Sequence, residues 1–106
     1  MFARKVSMHL KADSAGEFIK KMENEVIPLL RKQEGFLDEI TLFSRSGKEV
    51  YAYSFWENSA DAEQYDKATF AQVTKLLSEV IDGALRVHTY MVGNSTFHKM
   101  ACSVAS

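Results

Sequence analysis

A single α+β domain in the order strand-helix-strand-strand-helix-strand is what this sequence predicts, and three observations predict it. Segments of near-alternating polarity stand at residues 2–10 and 85–92. Two stripes of apolar residues at helical spacing, each opening on a capping side chain, run through residues 14–33 and 58–80. Between the stripes, two aromatic and β-branched segments flank a short polar turn, the pattern of an antiparallel hairpin.

In the first segment Phe2, Arg4, Val6, Met8 and Leu10 alternate with Ala3, Lys5, Ser7 and His9, so one face is apolar from Val6 onward. Ser14-Ala15-Gly16-Glu17 has capping-box spacing and predicts a helix start. Phe18, Ile19, Met22, Val26, Leu29 and Leu30 then form one apolar side, with Lys20, Lys21, Glu23 and Asn24 in water. Pro28, lacking an amide hydrogen, is expected to kink this helix or open a short irregular turn while the apolar phase continues through Leu29 and Leu30, and Gly35 is expected to stop it.

The hairpin runs over residues 36–44 and 49–56 around Arg45-Ser46-Gly47-Lys48. Ile40 and Leu42 oppose Leu37 and Phe43 in its first strand, and Val50 and Trp56 oppose Tyr51, Tyr53 and Phe55 in its second, so both faces are apolar. Such a sheet is expected to be covered on both sides, one by the domain's own helices and the other by something a monomer does not supply. Asn58 and Ser59 offer a second cap ahead of Ala62, Tyr65, Phe70, Val73, Leu76, Leu77 and Val80, with a possible break near Ala68-Thr69. Asp82-Gly83 ends that helix, and Leu85, Val87, Thr89 and Met91 alternate with Arg86, His88, Tyr90 and Val92 in a last strand. This is the ferredoxin-like order, an antiparallel sheet with helices on one face.

The chain of 106 residues is 46% hydrophobic and reads as one domain over 1–106, with its core at about 2–92 and a short tail over 93–106. A globule of this length has a radius of gyration of roughly 13 Å, shallow for a closed ligand cavity unless a second subunit helps to wall it. Thirteen basic and fourteen acidic residues are scattered to a net charge of -1. That balance argues against nucleic acid as a partner and supplies no polybasic membrane anchor. Cys102 is the single cysteine, so neither an intrachain disulfide nor a cysteine metal cluster can form, and a reducing cytoplasm is the expected location. No apolar run is long enough for a signal peptide or membrane span.

Three patterns carry a family resemblance: Val26-Ile27-Pro28-Leu29-Leu30 at the end of the first helix, then Gly35-Phe36-Leu37, then Ser54-Phe55-Trp56-Glu57-Asn58-Ser59-Ala60-Asp61-Ala62. Over residues 2–92 the chain resembles the antibiotic biosynthesis monooxygenase family of the dimeric α/β-barrel superfamily. The resemblance implies a homodimer in which two sheets meet face to face as a dimeric α/β barrel. It also implies either a cofactor-independent oxygenase of polycyclic phenols or quinols, or a haem-degrading enzyme, or a protein with no assigned reaction. The asparagine, tryptophan and histidine of the haem-degrading members are replaced here by Val6, Tyr65 and Thr74. Valine donates no hydrogen bond and threonine is a poor iron ligand, which speaks against haem degradation.

Cofactor-free oxygenation needs a base, a dry pocket and a substrate that ionises to an electron-rich anion; neither a cofactor nor a metal is expected. His88 and His9 are candidate bases, because imidazole titrates near neutrality, and they share the phase of Lys5, Ser7, Arg86 and Tyr90 on the face away from the helices. The same six residues also fit a plain hydrogen-bonded lining at a dimer interface. Trp56, Phe70, Val73 and Val6 are the expected pocket wall, with the Tyr65 hydroxyl as a catalytic donor and the Trp56 indole NH as a second hydrogen-bond donor to a quinol or phenol oxygen; the bland reading makes them ordinary core. His98 is read as solvent-exposed and Cys102 as a bystander. No GxGxxG, phosphate-loop, HExxH or GxSxG pattern occurs. Two functions follow as expectations: a small homodimeric monooxygenase of aromatic or quinone-like molecules, or a non-catalytic homodimer that binds a small molecule or serves a structural role.

Overall fold

In a computed structural model, which describes residues 1–96, strand β1 (Phe2–His9) leads into a helix of three segments: α1 (Ala15–Lys21), a π-helical turn (Met22–Val26) and α2 (Ile27–Arg31). Strands β2 (Phe36–Phe43) and β3 (Glu49–Trp56) form the hairpin, helices α3 (Ser59–Ala68) and α4 (Phe70–Leu77) follow, and β4 (Arg86–Met91) closes the sheet. All pairings are antiparallel and the strand order is β2-β3-β1-β4, so the ferredoxin-like expectation holds. His98 and Cys102 lie outside the described residues. The shortest extent of the molecule, 22 Å, is that of one sheet and one helical layer.

One local expectation is corrected. Ser14 does not cap α1 with its side chain: its Oγ donates to the Ala12 carbonyl at 3.3 Å instead. Asp13 takes a left-handed φ of 57° and Ser14 sits at ψ 1°, away from the extended geometry that aims a capping oxygen at the first-turn amides. At Pro28 the helix passes through a short irregular turn and keeps its apolar phase. The proline falls in the first turn of α2, where the wider π turn immediately before it absorbs the missing amide bond and keeps Met22, Val26 and Leu30 buried in one row. The second cap forms as predicted, with Asn58 Oδ1 accepting from the Asp61 amide at 3.0 Å, and the helix breaks at Thr69.

The core joins Val6, Met8, Val50 and Trp56 of the sheet to Phe18, Met22, Val26 and Leu30 of the first helix and to Ala62, Tyr65, Val73 and Leu77 of α3 and α4. Gly35 turns the chain into β2 at φ 78°, and its carbonyl accepts from the Glu57 amide at 2.8 Å. A Cβ there would collide with the Asp61 carboxylate, so the approach of this turn to α3 requires glycine.

The other face of the sheet carries Tyr51, Tyr53, Phe55, Ile40, Leu42 and Tyr90, with Ile40, Leu42 and Tyr90 at 40%, 46% and 47% exposure. None of the described helices is long and apolar enough to cross a membrane.

Candidate functional site

The register of β1 aims its even residues at the helices, and that places a charge, Arg4, at an apolar phase. Its neighbours across the sheet are Ser54 and Thr89, and it is 97% removed from solvent at 3% exposure. Arg4 Nη2 donates to Asp66 Oδ1 of α3 at 2.5 Å, while its guanidinium lies 4.0 Å from the Phe70 ring centroid and 5.3 Å from that of Tyr65. A weakly hydrated planar cation stacked on two rings is a stable way to bury an arginine. It also leaves a positive charge at the edge of an aromatic chamber.

Arg4 and Tyr65 share that chamber with Val6, Met22, Val26, Glu39, Ser54, Phe70, Val73 and Leu85 on its wall. Its free volume is about 30 Å³, room for roughly two water molecules. Phe70 and Leu85 also line a second, open basin of about 350 Å³, whose other walls include Thr74, Ser78, Ile81 and Ala84. These two side chains therefore stand between a small polar-edged chamber and a space of ligand size.

Tyr65 reaches the chamber from α3, held by a tilted stack on Trp56 at 5.1 Å between centroids and by Phe70 at 6.1 Å. Its hydroxyl makes no hydrogen bond among the described residues. Burial first, and then the Asp66 and Glu39 carboxylates, push its pKa up to about 12 against the opposing pull of Arg4, so at neutral pH it is a donor. The Trp56 indole NH is not free for a ligand, because Trp56 Nε1 donates to Ser54 Oγ at 2.9 Å.

Glu39 enters from β2, opposite Ser54 in the register. Thr41 Oγ1 donates to its Oε2 at 2.6 Å, and Oε1 has no donor among the described residues. Burial raises its carboxyl above the usual glutamate range, with the Thr41 hydrogen bond pulling the other way.

Of the residues named from sequence, the fold gathers Tyr65, Trp56, Phe70, Val73 and Val6 on the helix side of the sheet, with Trp56 in the wall behind Tyr65. It does not bring His88 or His9 to them. His88 pairs with Lys5 and His9 with Glu49 on the opposite face, both exposed, with the thickness of the sheet between them and Tyr65. The physical reason is the strand period of two, which sends odd residues of β1 and even residues of β4 away from the helices. Thr74 donates from Oγ1 to the Phe70 carbonyl at 3.0 Å and lines the outer basin.

Sequence reasoning missed Arg4 and Glu39. The available signal was a charged residue in the inward phase of a strand: Arg4 in step with Val6 and Met8, and Glu39 in step with Thr41 and Phe43.

The sequence profile of the antibiotic biosynthesis monooxygenase family matches residues 1–76, a span that holds Arg4, Glu39, Trp56, Tyr65, Phe70 and Val73 and stops before β4. Solved structures superpose over most of the chain. A Streptomyces coelicolor monooxygenase, ActVA-Orf6, solved in complex with nanaomycin D, is 18% identical with a TM-score of 0.76, covering 91% of this chain and 90% of its own. A conserved protein from Methanosarcina mazei is 20% identical with a TM-score of 0.70, covering 85% and 91%. A Mycobacterium tuberculosis protein, Rv0793, is 11% identical with a TM-score of 0.71, covering 90% and 97%. At these identities the superpositions establish the fold. No curated protein matches the chain by sequence.

Proposed function

The chain belongs to the antibiotic biosynthesis monooxygenase family, and from that premise we propose that it is a cofactor-independent monooxygenase of an aromatic, quinol-type small molecule. The observation that carries this reading is the pairing of a hydroxyl donor, Tyr65, with a buried cation, Arg4, on the edge of an otherwise apolar aromatic chamber. A quinol or phenol oxygen would meet both groups there: the hydroxyl orients it and the cation favours its anion, the electron-rich form that reacts with oxygen. The rest of the ligand would occupy the outer basin once the Phe70 and Leu85 side chains turn aside. The Streptomyces coelicolor structure, with nanaomycin D as its ligand, supports the choice of substrate class.

The functional unit we propose is a homodimer joined through the open sheet face, where Ile40, Leu42 and Tyr90 stand half exposed. Proteins of this family are generally small dimers. Such a dimer would bury Lys5, Arg86, His88 and Tyr90 between two sheets, and His88 and His9 would serve there as interface residues.

The test is oxygen consumption by the purified protein over anthrones, naphthoquinols, catechols, and haem with reductant, against heat-inactivated protein. Protein-dependent uptake with a quinol or anthrone, lost in Tyr65→Phe without loss of folding, is the expected result; an unchanged rate in that variant removes Tyr65 from the mechanism. The small volume of the inner chamber favours a second reading, a non-catalytic homodimer in which the aromatic residues are core alone. On that reading no compound of the panel is consumed.

A further inference from the structure

We propose that Glu39 is the proton acceptor of this site, taking the hydroxyl proton of a bound phenol or enol on Oε1 while the resulting oxyanion is held by Arg4. The proposal rests on the chamber being the ligand site, and it narrows the ligand to one bearing an ionisable hydroxyl. In the transfer the substrate O–H bond breaks, an O–H bond forms on Glu39 Oε1, and the negative charge moves from the carboxylate to the substrate oxygen. No oxidant or co-reactant enters this step.

Three features of the geometry carry it. Glu39 and Arg4 line the same chamber from β2 and β1, on either side of Ser54 of β3, so both face the space a ligand would enter. Thr41 positions the group: by donating to Oε2 it fixes the carboxylate plane and leaves Oε1 to accept. Asp66 already neutralises part of the Arg4 charge from the solvent side, at 53% exposure, so the cation tolerates burial before the ligand arrives. Of the charged and titratable groups around Glu39, Tyr65 on α3 interacts with its carboxylate, and Arg4 lines the same chamber from β1. Burial, which disfavours the ionised carboxylate, makes Glu39 a better base than an exposed glutamate. The histidines on the far face of the sheet are not required for the proton.

The experiment follows the ionisation of a bound probe rather than turnover. 4-Nitrophenol, whose anion alone is yellow, is titrated with the wild-type protein below the pH at which free probe ionises, while titration calorimetry in buffers of different ionisation heat counts protons released. The wild type is expected to bind the probe as its yellow anion with no net proton released, since Glu39 keeps the proton. Glu39→Gln, which preserves shape and the Thr41 hydrogen bond, is expected to bind colourless phenol, or yellow anion with one proton released. Arg4→Met is expected to leave the probe colourless and to weaken binding about tenfold. Equal colour and equal proton count in wild type and Glu39→Gln would overturn the proposal while leaving the ligand site standing. Absence of binding by the wild type at millimolar probe would remove the phenol site itself, and the monooxygenase reading of this chamber with it.

Discussion

Replacing Asp66 is expected to destabilise the protein more than replacing Arg4, although the two form one ion pair. Asp66→Ala leaves a guanidinium that is 3% exposed with only ring faces for partners. A hydrogen bond to a charged group contributes about 1.5 to 3 kcal/mol. Because Asp66 is 53% exposed, water and salt screen part of that, and a loss of about 1 to 2 kcal/mol is expected. Arg4→Met instead removes the buried charge and returns Asp66 to water, where a free carboxylate is well solvated. The thioether keeps contact with Phe70 and Tyr65, so the change should stay within about 1 kcal/mol of wild type. A gap of about 1 kcal/mol corresponds to roughly 4 to 8 °C in Tm for a domain of this size. Urea unfolding at one fixed protein concentration checks it, with equal m-values as the condition for comparison. A lower midpoint for Arg4→Met than for Asp66→Ala would refute the reasoning and make the guanidinium a structural asset in its own right. The expected order makes the cation dispensable for folding, which is what the proposed ligand role of Arg4 requires.

Trp56→Ala is expected to cost about 3 to 5 kcal/mol, since the indole is fully buried between Phe36 and Tyr65 and its NH is taken by Ser54; thermal unfolding at wild-type temperature would show that it is not core. Gly35→Ala is expected to destabilise by at least about 1 kcal/mol through the positive φ alone, and Gly35→Ala with Asp61→Ala to recover only part of that loss, because the Asp61 Cβ would still stand 2.7 Å from the added methyl; calorimetric Tm values of the single and double variants check this. Burial raises the folded-state pKa of Glu39, so just above the ordinary glutamate range the folded chain binds a proton that the unfolded chain has lost, and stability falls as pH rises. Urea midpoints at about pH 4 and about pH 7 should therefore drift downward more in wild type than in Glu39→Gln. Leu42→Asp, on the open sheet face, is expected to shift the protein from dimer to monomer in sedimentation while leaving the far-UV circular dichroism unchanged.

The order of elements was legible because it rests on local rules. A period of two in β1 and β4, a period near 3.6 after Asn58, and a glycine turn inside the hairpin each declare themselves within a few residues. Ser14 misled for the complementary reason: a cap depends on the dihedral of the residue before it, here turned by Asp13. Half of the candidate site was legible in the same way. Trp56, Tyr65, Phe70 and Val73 are large apolar groups at core spacing, and any fold of this order brings them together. Arg4 and Glu39 were not, because residue chemistry drew attention to His9 and His88, whose phase already sent them to the other face. A charge in the apolar phase of a strand looks like an interruption of the pattern. Once the strand is buried, such a charge needs partners, and Arg4 finds them in Asp66 and two rings while Glu39 finds only Thr41. On the reading proposed above, a ligand hydroxyl in the shared chamber would give the Glu39 oxygen the partner it lacks among the described residues.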